Sequence, residues 1–209
     1  MSRYIAVAGI HGELGKLNSL LSKIKIRHDD IFIFLGDYID RGPKSKEVVD
    51  RLIKLSKTNQ CVFLIGASEY TMLNVKNDEY YKWIFENYGG MATIKSYGSY
   101  EKIMEIHGDF YRNLNLYCFT EDYFFVHAGI NPNYSLDDQD EEDLLYISWN
   151  FIDSQHCLPQ KIVYAHTDFE SPFSLPDKIG IDLGCGIYPY APLCALIINH
   201  GKEKFVYSD

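Results

Sequence analysis

The chain has 209 residues, 46% of them hydrophobic and 23% charged, ordinary globular values that exclude a disordered or fibrous protein. A chain of this length buries roughly 70% of the surface its unfolded form exposes, so it needs neither a disulfide nor a metal merely to fold, and residues 1–209 are expected to form one domain. Its 20 basic and 29 acidic residues give a net charge of −9, which argues against non-specific binding to nucleic acid or to an anionic membrane. Six of the acids stand in one run, Asp137 to Asp143. The five cysteines (Cys61, Cys118, Cys157, Cys185 and Cys194) are scattered and contain no Cys-x-x-Cys pair, which fits reduced thiols better than a disulfide framework or a thiolate zinc site. No apolar stretch approaches the ~18 residues needed to span a bilayer, and the N-terminus lacks a signal-peptide layout, so a soluble, cytoplasmic protein is expected.

Tyr4 to Ala8 reads as a short apolar strand, followed by a turn and a helix with Leu14, Leu17, Leu20, Leu21 and Ile24 on its apolar face. Ile31 to Leu35 is a second buried strand. Pro43 then suits the first turn of a helix that carries Val48, Val49, Leu52, Ile53 and Leu55. Cys61 to Ile65 is a third strand, followed by a long helix containing Met72, Leu73, Trp83 and Phe85. This alternation predicts βαβ units and a parallel sheet. After Gly89-Gly90 the pattern predicts only short helical pieces through about Asn113. Strands are expected at 116–119, 123–126, 161–165, 179–183, 193–198 and 205–207. One helix is expected among them, starting in the acidic run, where the helix dipole favours negative charge, and continuing through Leu144, Leu145, Ile147 and Phe151. The fold class is therefore α/β with a mixed, two-sheet core.

In α/β sheets ligands gather where strands end and loops begin. Here the strand ends read Gly9-Ile10-His11-Gly12, Gly36-Asp37-Tyr38-Ile39-Asp40-Arg41-Gly42-Pro43, Gly66-Ala67-Ser68-Glu69, His127-Ala128-Gly129 and His166-Thr167. Taken singly, a histidine at a strand end is more often hydrogen-bonded structure than a ligand, and Gly-Asp is ordinary turn chemistry. Together, His11, Asp37, His127 and His166 form a carboxylate and imidazole set of the kind that holds a hydrolytic metal.

The segment from Gly36 to Pro43 resembles the signature of the calcineurin-like metallophosphoesterases, and more narrowly that of the bacterial and phage-type serine/threonine protein phosphatases. The resemblance continues in Gly89-Gly90 with Ser96-Tyr97-Gly98, in Phe125 to Ile130, in Ala165-His166-Thr167 and in Ile179 to Asp182. It implies a four-layer sandwich, two mixed β-sheets flanked by helices. It also implies two metal ions about 3.5 Å apart, bridged by a carboxylate and a hydroxide. By resemblance the bridge is Asp37. The first ion would take an Asp-x-His pair, the second an Asn and two histidines, here His127 and His166. A His in a Gly-Asn-His-Glu motif would protonate the leaving group, oriented by Asp40, and Arg41 and a second arginine would hold the phosphate.

The chain departs from that pattern at four positions. Gly9 stands where the first-metal Asp belongs, leaving His11 alone in the incomplete first site. Ala67 and Ser68 replace the second-metal Asn and the general-acid His, and Ser148 aligns with the second arginine. In addition, a small-polar Asp-Thr-Gly segment reads Asp182-Leu183-Gly184. Losing the general acid alone costs ~10²–10⁴ in rate. The expectation is a pseudophosphatase with no intact catalytic residue set, binding a phosphorylated protein or small phosphoester, with none or one divalent metal (Mn, Zn or Fe) on Asp37, His127 and His166. The alternative is a weak mononuclear phosphoesterase on the same three ligands, an arrangement like a catalytic zinc site with an open position. A third reading makes the tyrosine-rich segment from Tyr70 to Tyr123 a contact surface, against which stands the frequency of core aromatics at helical spacing.

Overall fold

In the computed structural model, which describes residues 3–146 and 149–209, β1 (Arg3–Val7), β2 (Asp30–Phe34) and β3 (Gln60–Phe63) run parallel. They are linked by α1 (Leu14–Ile24) and α2 (Ser45–Ser56). On the far side of β1, β9 (Cys194–Asn199) and β10 (Lys202–Tyr207) complete a five-stranded sheet in the order β10-β9-β1-β2-β3, antiparallel at those two strands. The second sheet has the order β4-β5-β6-β8-β7. Its strands are β4 (Tyr117–Phe119), β5 (Tyr123–Val126), β6 (Lys161–Tyr164), β7 (Phe173–Ser174) and β8 (Lys178–Gly180). Of these, β5, β6 and β8 are parallel. Two mixed sheets with flanking helices are the expected architecture.

Residue alternation assigns the two faces of the second sheet, since successive side chains of a strand point opposite ways. Phe125, Val163 and Ile179 join the main core with Ile5, Val7, Phe32 and Phe34 of the first sheet and Leu17, Leu20, Val48 and Leu52 of α1 and α2. Phe124, Val126, Ile162 and Tyr164 face a smaller core with Leu144 and Phe151. Among the described residues, no helix is long and apolar enough to cross a membrane.

Several elements differ from expectation. The long helix after β3 is two helices, α3 (Ala67–Asn74) and α4 (Glu79–Asn87). The break falls at Asn77-Asp78, where the Asp78 side chain accepts the Tyr80 N–H at 2.8 Å and caps the second helix. The region after Gly89 is more regular than expected. It forms α5 (Gly90–Tyr97) and α6 (Tyr100–Arg112), separated by Gly98 at φ +97° and by the Ser99 cap, with a kink at His107. The acidic run does not nucleate one continuous helix. It gives a 3-10 turn (Leu136–Asp138), then α7 (Glu141–Leu145) and α8 (Trp149–Asp153), and Ile147 lies outside the described residues. The strand expected to reach 183 stops at Gly180, and the two-residue β7 gave no periodic signal.

The C-terminal end of α8 is held by a buried lysine. Lys178 Nζ donates to the carbonyls of Phe151 at 2.6 Å, Ile152 at 3.3 Å and Ser154, and lies 4.7 Å from the centre of the Phe151 ring. A cation there satisfies carbonyls that the helix end leaves unpaired and complements its dipole. Lys178→Met, similar in volume but unable to donate, is expected to lower stability by about 2–3 kcal/mol in denaturant titration.

Candidate metal and phosphate site

The site lies at the carboxyl ends of the parallel strands of both sheets. Gly9 and His11 follow β1, Asp37 follows β2, His127 follows β5, His166 follows β6 and Asp182 follows β8, while Ala67 and Ser68 open α3. His11, Asp37, Asp40, Arg41, Ala67, Ser68 and His166 line one cavity of about 210 Å³, with Thr71, Ile84, Phe85, Tyr88, Tyr146 and Ile187 as its remaining walls. Ser148 lies outside the described residues.

Asp37 is the centre. Its Oδ1 accepts the Ser68 N–H at 2.8 Å, and its Oδ2 lies 3.4 Å from His11 Nε2 and 3.7 Å from His127 Nε2. The tautomers follow from the other ring nitrogens. His11 Nδ1 donates to the Ile39 carbonyl at 3.1 Å and His127 Nδ1 to the Leu35 carbonyl at 2.6 Å, and a carbonyl only accepts. When neutral, both rings therefore turn Nε2 lone pairs toward a carboxylate oxygen, and when protonated they pair with it. Either way a positive charge, a proton or a metal ion, belongs between these atoms, and orienting a ligand histidine through its second nitrogen is how metal sites are built. His166 Nδ1 lies 3.2 Å from His127 Nε2, and the ligand atoms of Asp37, His127 and His166 all fall within 4.8 Å of one another. These three residues fit one divalent ion. His11 stands outside that group, its Nε2 3.4 Å from Asp37 Oδ2.

Protonation supports the same assignment. Burial raises the Asp37 carboxyl, but the surrounding histidines outweigh it and hold the group well below the usual carboxylate range. Burial and His127 push His166 down to about 4, so it is a neutral ligand at physiological pH.

Two acids without an assigned role in the sequence reading hold the ligands in place. Glu69 is fully buried, and its carboxylate accepts the N–H groups of Asp37 (2.9 Å), Tyr38 (2.8 Å), Ile39 (3.3 Å) and Gly66 (3.1 Å). Burial and Asp37 push its carboxyl up to about 8, against the opposing hydrogen bonds from the Tyr38 and Asp37 N–H groups, and both oxygens are occupied as acceptors. Asp182 accepts the His166 N–H at 3.0 Å and the Gly184 N–H at 2.9 Å. These clamps are needed because His11, Asp37, Asp40, Arg41 and His166 all have φ between 47° and 71°, a left-handed backbone that costs non-glycine residues on the order of 1 kcal/mol or more each.

Asp40 Oδ1 accepts the Thr93 hydroxyl at 2.7 Å, and its own N–H donates to Thr93 Oγ1 at 2.9 Å. Burial, more than the neighbouring Asp37, pushes the Asp40 carboxyl up to about 7. Because the folded protein then binds this proton more tightly than the unfolded chain, Asp40 contributes stability below pH ~4 that fades as pH rises toward 7. In chelator, replacing it by Asn is expected to flatten the fall of stability between pH 4 and 7, read from denaturant midpoints across that range. Arg41 is exposed at the cavity rim. Its N–H donates to the Gly89 carbonyl at 3.1 Å, and a Cβ on Gly89 would stand 2.8 Å from Arg41 Cγ, so only glycine permits this approach.

Gly9 leaves a small cradle. A Cβ added there would lie 3.3 Å from Asp37 Cβ, 3.4 Å from His11 Nε2 and 3.5 Å from Asp182 Oδ2. The position expected to carry a first-metal carboxylate thus faces the same centre, with no side chain on it.

Strand-end ligands on two mixed sheets, with a carboxylate between imidazoles, define a metal-dependent phosphoesterase fold. Residues 2–191 match the calcineurin-like phosphoesterase family, and the chain belongs to it. Relatives include the PP2A-like serine/threonine-protein phosphatase PPG1 of Saccharomyces cerevisiae, 29% identical over 136 residues. That match covers 64% of this chain but only 34% of the yeast protein. The asymmetrical bis(5'-nucleosyl)-tetraphosphatase PrpE of Anoxybacillus flavithermus is 24% identical, with 87% of this chain and 85% of the relative covered. The cold-active protein-tyrosine phosphatase of a Shewanella species superposes with a TM-score of 0.68 at 17% identity, over 98% of this chain and 80% of that one, a likeness of fold.

Proposed function

We propose that this chain is a phosphoester-binding member of its family with impaired turnover. It holds one divalent ion, manganese, zinc or iron, on Asp37, His127 and His166, and takes the phosphoryl group of a phosphorylated protein or small phosphoester beside Arg41. The observation that carries this is a contrast at one centre: ligand atoms of Asp37, His127 and His166 converge within 4.8 Å of one another, while Gly9, Ala67 and Ser68 beside them offer neither a ligand side chain nor a general acid. A bound ion supplies charge stabilisation and a more acidic bound water. The protein's own groups keep Asp37 anionic, fix the tautomer of His127 through Leu35, and place the Arg41 cation at the rim, where it pairs with phosphate oxygens.

Elemental analysis of the purified chain, with calorimetry of metal and inorganic phosphate, tests the reading. One ion per chain, phosphate affinity lost in Arg41→Ala, and no aryl-phosphate turnover above a His127→Ala control are the expected results. Two ions per chain at this cavity would falsify it. The weak mononuclear phosphoesterase remains a second reading, favoured by the open position that three ligands leave. Turnover above the same control in manganese, zinc or iron supports it.

A further inference from the structure

We infer that the exposed aromatic face of α4 is a docking surface for the polypeptide flanking a phosphorylated residue, so that the natural ligand of the cavity is a phosphorylated protein segment with apolar neighbours. This rests on the phosphate-binding reading above and names its ligand class.

Helix α4 buries one side and opens the other. Phe85 is 3% exposed and forms a cavity wall, whereas Tyr80 is 62% exposed, Trp83 53%, Tyr88 56% and Met91, at the start of α5, 55%. Tyr80, Trp83, Ile84 and Tyr88 follow the three-and-four spacing of one broad helix face. Met91 lines another cavity, with Lys82, Phe85 and Glu86, so the patch on this face is Tyr80, Trp83 and Tyr88, three of the twelve exposed large apolar side chains among the described residues. Contiguous patches of this kind on soluble proteins mark interaction sites, and Trp, Tyr and Met are the side chains enriched there. The patch is also ordered: the Trp83 and Tyr88 rings meet edge to face at 5.6 Å, and those of Tyr80 and Tyr81 at 5.5 Å.

Continuity with the cavity identifies the occupant. Ile84 and Tyr88 belong both to this face and to the cavity wall, and Arg41, whose N–H donates to the carbonyl of the adjoining Gly89, lines the same cavity beside Tyr88. A phosphoryl group at Arg41 therefore sits next to Tyr88, and a polypeptide attached to it has the aromatic face of α4 as its neighbouring surface. From Tyr88 to Tyr80 the helix rises about 12 Å, the span of three to four extended residues at ~3.3 Å each. A nucleobase would reach only the first ring. The exposed rings of Tyr80, Trp83 and Tyr88 carry no charge, and Glu79 and Lys82 beside them pair with each other at 3.4 Å, so the face favours apolar side chains over a polyanion.

The test uses the full chain loaded with manganese, with affinities read by calorimetry and by the fluorescence of Trp83, one of two tryptophans. The probes are inorganic phosphate, ATP, and nine-residue phosphoserine and phosphotyrosine peptides with either Leu/Phe or Gly/Ser flanks. A phosphopeptide with Leu/Phe flanks should bind at least tenfold more tightly than its Gly/Ser counterpart and than inorganic phosphate. Trp83→Ala with Tyr80→Ala, both surface changes, should erase that advantage and leave phosphate affinity unchanged. Equal affinities for the two flank types, an advantage that survives the double variant, or the same Trp83-dependent gain for ATP each overturn the inference while the phosphate reading stands. If inorganic phosphate itself fails to bind, both fall together.

Discussion

Restoring three side chains, Gly9→Asp, Ala67→Asn and Ser68→His, is expected to raise aryl-phosphate hydrolysis by at least about 10³-fold over the natural chain, and to raise bound metal to two ions. The backbone admits all three. Gly9 does not use a left-handed conformation, and its added Cβ meets neighbours at 3.3–3.5 Å, a fit that needs shifts of only tenths of an ångström. Residues 67 and 68 begin α3 and border the cavity, and Asp40 stands ready to orient a histidine at 68. The general acid is worth about 10²–10⁴, and a second ion completes a clamp on the attacking and leaving oxygens. These contributions are not additive, so the lower bound is the meaningful figure. Steady-state rates with added manganese, against His127→Ala in the same background, give the answer. A folded variant holding two ions and no faster than the parent would mean that the cavity lacks something besides these three groups.

The second large effect is on stability. Glu69→Ala is expected to cost on the order of 4 kcal/mol, because it strands four backbone N–H groups in a buried loop whose Asp37 already sits at φ +52°. Glu69→Gln should recover only part of this, since an amide nitrogen would face donors. Denaturant midpoints of the two variants give the order Ala, then Gln, then the natural chain. A loss under 1 kcal/mol for Ala would show that water replaces the carboxylate freely.

The ligand residues were legible because they stand next to short apolar strands, so the end of hydrophobic periodicity locates them, and the motif around Asp37 orders them. Glu69 and Asp182 stand within those motifs, but their work is not legible there. An acid in the first turn of a helix looks like dipole compensation, and that Glu69 turns inward onto the β2 loop depends on contacts 30 or more positions apart. By sequence alone, Trp83 and Phe85 both count as apolar residues of one helix. Two positions apart on a helix means opposite sides, so Phe85 enters the core and Trp83 meets solvent. The break at Asn77-Asp78 was hidden because apolar residues continue on both sides of it, and only the cap chemistry of Asp78 marks it.

The hydrogen bond from His127 Nδ1 to the Leu35 carbonyl joins groups 92 positions apart, one on each sheet. Asp37 comes from the first sheet, and His127 and His166 from the second, so any ion these three hold is coordinated only once the two halves have come together. A metal site built this way would report completed folding. Metal affinity belongs to the closed sandwich, and saturating ion adds its binding free energy, RT ln(1 + [L]/Kd), to the cost of prising the sheets apart. Contacts of such long range form late, after the local βαβ units. Metal uptake during refolding should therefore lag the recovery of helical signal and coincide with final closure.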